Sequence, residues 1–160
     1  MLLRNDQVSL ESITSSTARR ILDRQERPGD RWHAEYPFAD ELAPLRSLAS
    51  SPPTGSHFTM YVIRRPSDGL AVGGFGFFGP PDQEGTVELG YGLVPSARGR
   101  GLATAAVVLA LEHARLWGAR RAAADTEVTN SASRRVLTKS GLVETGHRGS
   151  LVLYERNLAD

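Results

Sequence analysis

The chain contains no cysteine. That excludes disulfides, thiolate metal sites and a cysteine nucleophile. Lysine is almost missing: Lys139 stands alone, and the other basic side chains are arginine or histidine. Net charge is only +1, too little to build a field that would recruit nucleic acid or an anionic membrane. The longest apolar run lies between Leu102 and Leu111 and is too short to span a bilayer. The opening MLLRNDQVSL lacks the apolar core of a signal peptide. A soluble cytoplasmic protein is expected. His33, His57, His113 and His147 show no metal-ligand spacing, so no metal is expected. There is no Gly-x-Ser-x-Gly elbow for a serine acyl-enzyme and no Gly-Lys-Ser/Thr for a P-loop. Without internal repeats, one domain over residues 1–160 is expected.

What is present is organised around Thr86 to Trp117. Val87, Leu89, Tyr91 and Leu93 alternate with Glu88, Gly90 and Gly92, which predicts a strand. Pro95 cannot donate to a ladder and ends it. Ser96 to Gly101 is an Arg/Gly loop. Leu102 to Leu111 is nearly all apolar and predicts a buried helix that meets water at Glu112, His113 and Arg115 and stops at Gly118. A helix N-terminus offers unpaired N–H groups and the positive end of a dipole, and a preceding glycine lets an anion approach the backbone. Arg98 and Arg100 add charge, so a pyrophosphate is the expected guest; the plain alternative is an ordinary turn with solvated arginines.

The remaining elements follow in order. Val8–Ile13 alternates as a first strand, and Ser15 or Ser16 caps a helix carrying Ala18, Ile21 and Leu22. Glu41–Ala49 reads as a short helix, and Ser50–Ser56 as a loop. His57–Arg64 and Leu70–Phe78 form a hairpin about Pro66-Ser67-Asp68-Gly69. Glycines at 73, 74 and 76 suit close packing or a bulge. Ala122–Val128 is a further strand, parallel to the central one. Asn130 or Ser131 starts a second helix, and 142–147 with 150–156 closes a hairpin. The class is α/β with a mixed sheet. Hydrophobic residues make up 40% of the chain, enough for a core at this length.

Arg98-Gly99-Arg100-Gly101-Leu102-Ala103 resembles the Arg/Gln-x-x-Gly-x-Gly/Ala motif of the GNAT N-acetyltransferases, which binds the acetyl-CoA pyrophosphate. VELGYGLVPSARGRGLATAA with TNSASRRVLTKSGLVETG is similar to the ribosomal-protein N-terminal acetyltransferase branch. The likeness is strong from Val87 to Gly146 and weak before Met60. It implies a GNAT-like fold: a central mixed β-sheet of six to seven strands, flanked by about four helices and splayed between the fourth and fifth strands. It implies acetyl-CoA held by Arg98, Gly99, Arg100, Gly101, Leu102, Ala103 and Thr104, with backbone at Leu93 and Val94 on the acetyl and pantetheine portions. It further implies that Asn130 reaches the pantetheine arm. Ser133, one turn on, is a candidate donor to the departing sulfur, although Asn and Ser are also good helix caps.

Acetyl transfer to an amine needs a neutral amine, a donor for the oxyanion and a stabilised thiolate. With no cysteine, direct attack by the amine is the economical route. Glu88, beside Gly90 and Gly92, is the candidate base; the alternative is an exposed strand glutamate. Freeing an α-amine at pH 7 costs about 1 kcal/mol, whereas a lysine ammonium costs roughly 4–5 kcal/mol. The wider family often has a tyrosine acid in the helix holding Arg134, Arg135, Val136 and Leu137; here there is none, and Tyr154 reads as packing. Trp32, Tyr36 and Phe38 are candidates for an acceptor pocket or for the core. The expected acceptor is a protein N-terminal α-amine or a small-molecule amine, with no nucleic acid or membrane partner. A homodimer is left open. A non-catalytic acyl-CoA-binding module on the same fold is the alternative function.

Overall fold

The structure, a computed structural model, describes residues 1–52 and 55–159. One eight-stranded sheet runs in the order β1-β2-β3-β4-β5-β6-β8-β7. Its strands are β1 (Leu2–Arg4), β2 (Ser9–Ser12), β3 (Met60–Arg64), β4 (Ala71–Phe77), β5 (Thr86–Leu93), β6 (Arg121–Glu127), β7 (Val143–Arg148) and β8 (Leu151–Asn157). The helices are α1 (Ser15–Leu22), α2 (Leu42–Ala49), α3 (Leu102–Leu116) and α4 (Ser131–Lys139). The sheet has one strand more than the upper expectation. The addition is β1, whose three residues are too few to show a period. Residues 53 and 54 of the expected Ser50–Ser56 loop lie outside the described residues.

The hairpin of β3 and β4 turns where expected, with Gly69 at φ 71° and the Asp68 carboxylate accepting from Leu70 N–H at 3.1 Å. The α1 cap falls one residue earlier than read: Thr14 Oγ1 accepts from Thr17 N–H at 3.1 Å. A 3-10 turn, Ala39–Glu41, leads into α2 and shortens that helix at its start. The long helix α3 begins and ends as predicted, with Gly118 at φ 98° just beyond it.

Strands β2 to β5 are antiparallel neighbours, whereas β5 and β6 are parallel. Pairing between β5 and β6 covers only Thr86–Glu88 against Arg121–Ala123. Beyond Glu88 the two strands diverge. Leu89–Leu93 stays paired to β4 on its other edge, and the rest of β6 stays paired to β8. This is the expected splay, counted one strand later because of β1.

Side-chain alternation assigns the two faces of β5. Val87, Leu89 and Leu93 are buried on one face, and the Tyr91 hydroxyl on that face meets Ser133 of α4. Helix α3 packs beside α4 and buries Leu102, Ala106, Val107 and Leu111 against the core. The opposite face carries Glu88, Gly90 and Gly92 and lies under the 3-10 turn before α2. A Cβ on Gly92 would come within 2.6 Å of Asp40 Oδ2, so a larger residue would push that carboxylate aside.

Candidate active site

The strand-to-helix loop has the open backbone its sequence promises. Gly99 and Gly101 both sit at φ +80°, and the space a Cβ would fill at either is empty. Gly101 is the N-cap of α3, with no side chain capping the helix. The first internal bond is Ala105 N–H to Gly101 O at 3.0 Å. The N–H groups of Leu102, Ala103 and Thr104 therefore lack intrahelical acceptors, as first-turn groups do. Arg100 is exposed and makes no ion pair or hydrogen bond among the described residues. The backbone, the dipole and one free cation fit a pyrophosphate.

Arg98 is used differently from Arg100. Its Nε donates to Leu93 O at 3.0 Å, and its guanidinium lies 5.0 Å from the centre of the Phe38 ring. It closes the end of β5 rather than projecting into the loop. Ser96 anchors the other side: its N–H and Oγ both donate to the Glu35 carboxylate, and its Oγ lies 3.4 Å from His33 Nε2. The Glu35 carboxyl is held below its ordinary range, chiefly by the Ser96 hydroxyl.

The backbone along β5 decides which groups face the splay. Glu88 O accepts from Phe78 N–H at 3.0 Å, and Val94 N–H donates to Val72 O at 2.8 Å. Even-numbered residues thus turn their backbone toward β4, and period two turns Leu89, Tyr91 and Leu93 toward β6. Past Glu88 no β6 backbone meets them. Val94 differs from Leu93: its N–H is turned to Val72 O, and its carbonyl already accepts from Ala97 N–H at 3.0 Å. Leu93 keeps its N–H for the gap, its carbonyl being taken by Arg98. Tyr91 offers both groups and was missed as a backbone contact. The alternation already read in the sequence could have found it, had it been applied to backbone direction as well as to side chains.

On the α3 side of the gap, Asn130 caps α4: its Oδ1 accepts from Ser133 N–H at 3.1 Å, leaving its NH₂ as a free donor. The Ser133 and Tyr91 hydroxyls are 3.0 Å apart, and the Tyr91 hydroxyl also reaches Ser133 O at 3.2 Å. Burial raises the Tyr91 pKa, with the Ser133 hydrogen bond opposing it, so the phenol keeps its proton at neutral pH. Tyr154 is buried and its hydroxyl accepts from Arg134 Nε at 3.0 Å, which makes it packing as expected.

On the other face, Glu88 is exposed. It lies on one strand face with Gly90 and Gly92, and the Phe78 ring covers Gly90. From Gly90 onward that face opens into a cleft of about 900 Å³ between α2 and strands β3 to β5. Phe58, Met60, Phe75, Phe77 and Phe78 line it; Trp32, Tyr36 and Phe38 do not. Tyr36 is core, 3% exposed, and Phe38 supports Arg98. The only charged groups lining the cleft among the described residues are Asp40 and Glu41. No group of three His, Cys, Asp or Glu is placed to hold a metal among those residues.

Residues 10–143 match the family model described as Acetyltransferase (GNAT) domain. No curated protein matches the chain. Solved structures of similar fold include an acetyltransferase (GNAT family) from Bacillus anthracis, at TM-score 0.70 and 15% identity, covering 99% of each chain. Another is the ribosomal-protein-S5-alanine acetyltransferase from Vibrio fischeri, at 0.69 and 17%, covering 100% of this chain and 98% of that one. A spermidine N-acetyltransferase chimera from Vibrio cholerae and hSSAT aligns at 0.66 and 16%, covering 96% of each. The family match spans most of the chain and the shared fold runs end to end: this protein belongs to the GNAT acetyltransferases.

Proposed function

We propose that the protein transfers an acetyl group from acetyl-CoA directly to a primary amine, without a covalent enzyme intermediate. The observation that carries this is the open N-terminus of α3 behind Gly99 and Gly101, following a strand whose pairing with β6 stops at Glu88. Gly99, Arg100, Gly101, Leu102, Ala103 and Thr104 would hold the pyrophosphate. Tyr91 and Leu93 N–H groups, with the Asn130 amide, would hold the pantetheine arm, and Arg98 keeps the end of β5 in place. When bound, acetyl-CoA supplies an activated thioester.

The chain's own groups do the rest. Glu88 receives the amine proton through water, its carboxylate being exposed and without an ion-pair partner among the described residues. Ser133 Oγ holds a proton that its neighbour, the Tyr91 hydroxyl, can replace. The acceptor is a protein N-terminal α-amine or a small-molecule amine. Among the described residues no helix is long and apolar enough to cross a membrane, and we infer that the enzyme acts in the cytoplasm, as a monomer or a homodimer.

The test is thermal stability with and without acetyl-CoA, on the wild type and on Gly101→Asp. Ligand at about 100 times its Kd stabilises by about 2.7 kcal/mol. The wild type should shift and the variant should not, because a carboxylate at φ +80° both strains the loop and repels phosphate. A wild type that fails to shift at saturating acetyl-CoA refutes the reading.

A further inference from the structure

The cleft beneath α2 holds a carboxyl group that nothing in the described chain satisfies. Glu41 is 6% exposed, and neither of its carboxylate oxygens has a hydrogen-bond partner. The group lies flat on the floor of the cleft: a Cβ on Gly74 would stand 3.0 Å from its Oε1 and 3.1 Å from its Oε2. The Gly74 N–H is near enough to pull on the carboxyl, but its geometry makes no hydrogen bond. The Tyr36 hydroxyl, whose proton is held more tightly first by burial and then by Glu41, is also buried without a hydrogen-bond partner among the described residues. Asp40 is exposed, and its Oδ2 lies over Gly92. Leaving a buried polar group unsatisfied costs free energy, more so when it is charged. An unpaired buried carboxyl on the floor of a cleft therefore asks for a donor that arrives from outside.

The floor is built for access. Gly74 pairs with Gly92, and Gly76 with Gly90, so four facing positions on two adjacent strands carry no side chain. Gly92 stands between Tyr91 and Leu93, whose backbone faces the gap beside β6. The carboxyl pair thus sits on one face of the strand segment whose edge is proposed to hold the acetyl donor. Away from the pair, the lining carries Leu48, Phe58, Met60 and Phe78 together with the uncharged Ser47, Ser51, Ser56 and Thr59, and no further charge among the described residues. One anionic end and an apolar body describe the complement of the ligand.

We propose that this cleft is the acceptor site, and that it selects a primary amine carrying a single positive charge on an apolar or aromatic body, with the ammonium against Asp40 and Glu41. The proposal rests on the amine-acetyltransferase reading above and narrows its substrate class. A polyamine is disfavoured, because its second and third charges would lie against phenylalanines and methionine. The ammonium supplies the donors Glu41 lacks, and the body displaces water from the apolar walls. The raised pKa of Glu41, to about 8, caused first by burial and then by Asp40, is what such a site shows before its cation arrives.

Binding of 2-phenylethylamine, of the neutral 2-phenylethanol and of spermidine would be measured by calorimetry on the full chain, with and without CoA. The amine should bind at least tenfold more tightly than the alcohol and than spermidine. Glu41→Gln should weaken the amine about tenfold and leave the alcohol unchanged. Asp40→Asn, at an exposed position that the fold does not need, should weaken it severalfold and serves where Glu41→Gln fails to fold. The proposal is overturned if 2-phenylethylamine does not bind under either condition, if the alcohol binds as well, if spermidine binds more tightly, or if the folded variants bind the amine like the wild type. An acetyl-CoA thermal shift on the same preparation separates the two readings. A shift without amine binding sinks this inference alone, and amine binding without a shift sinks the cofactor reading alone.

Discussion

Replacing Glu41 with glutamine changes how stability depends on pH, and the sign follows from burial. The Glu41 carboxyl is pushed from 4.5 to about 8, by desolvation first and by Asp40 second. Between those values the folded protein keeps a proton that the unfolded chain has released. The native state is the proton-richer one there, so stability is greatest near pH 4.5 and below, as far as this group is concerned, and falls as pH rises toward 8. A pKa difference of one is about 1.36 kcal/mol, which sets a ceiling of about 5 kcal/mol on the loss. Water entering an open cleft screens the charge and lowers that figure, and a loss of about 2 kcal/mol or more is expected.

Glutamine keeps the shape and removes the titration. Its buried amide is still short of partners, so near pH 5 the variant should match the wild type or fall about 1–2 kcal/mol below it. Near pH 8.5 the order should reverse. Urea unfolding at the two pH values, followed through Trp32 and Trp117 fluorescence, measures this. In a chain of this size 1 kcal/mol corresponds to roughly 2–4 °C in Tm, so melting curves serve as a second probe. The histidines are common to both proteins, so whatever they contribute cancels in the difference. If the wild type loses no more stability than Glu41→Gln between pH 5 and 8.5, the carboxyl is solvated and the argument for an unsatisfied buried acid fails.

Three further outcomes check other parts of the site. Asn130→Ala removes the α4 cap and one pantetheine donor; it should cost about 1 kcal/mol in urea unfolding and also weaken CoA binding in calorimetry, whereas a cap alone would change only the first. Tyr91→Phe should cost about 1 kcal/mol through the lost hydroxyl bonds to Ser133 and lower kcat with little change in KM; an unchanged kcat removes the hydroxyl pair from the proton path. Glu88→Gln should lower kcat by roughly 10²-fold or more if its carboxylate is the base, leaving the binding of 2-phenylethylamine as in the wild type; equal kcat values would assign proton removal elsewhere.

Much of the fold and of the nucleotide end was legible because both are local. The alternation from Val87 to Leu93, the stop at Pro95 and the Gly99–Gly101 loop lie within a few residues of one another, and each has a single physical reading. The parallel β6 followed from the long helix between it and β5. The acceptor end was not legible, because it is assembled from distant pieces. Glu41 is an ordinary helix-start acid in the sequence, and it becomes unusual only when the turn before α2 lays it on Gly74. The glycines at 73, 74 and 76 were visible, but their partners at 90 and 92 became a floor only with the register of β4 against β5. Trp32, Tyr36 and Phe38 are residue types suited to an acceptor pocket, yet the aromatic residues that line the cleft are Phe58, Phe75, Phe77, Phe78 and Tyr91. Val94 turns its N–H toward β4 for a related reason: the period that sets the side-chain faces also sets which way each peptide points.

The alternation also divides labour along β5. Glu88 and Gly92 share a face, four residues apart, and at about 3.3 Å per residue their Cα atoms are roughly 13 Å from one another. A glutamate side chain cannot span that distance, so Glu88 and the Asp40–Glu41 pair cannot hold the same ammonium together. Either the amine is bound at Gly92 and its proton travels to Glu88 through water beneath Phe78, or the carboxyl that binds the amine also takes the proton. The first arrangement separates recognition from proton removal: Glu88→Gln then lowers kcat alone, and Glu41→Gln weakens binding. The second joins them, and Glu41→Gln lowers both while Glu88→Gln lowers neither. The spacing of one strand thus makes the pattern of KM and kcat across two conservative substitutions sufficient to decide which acid does the chemistry.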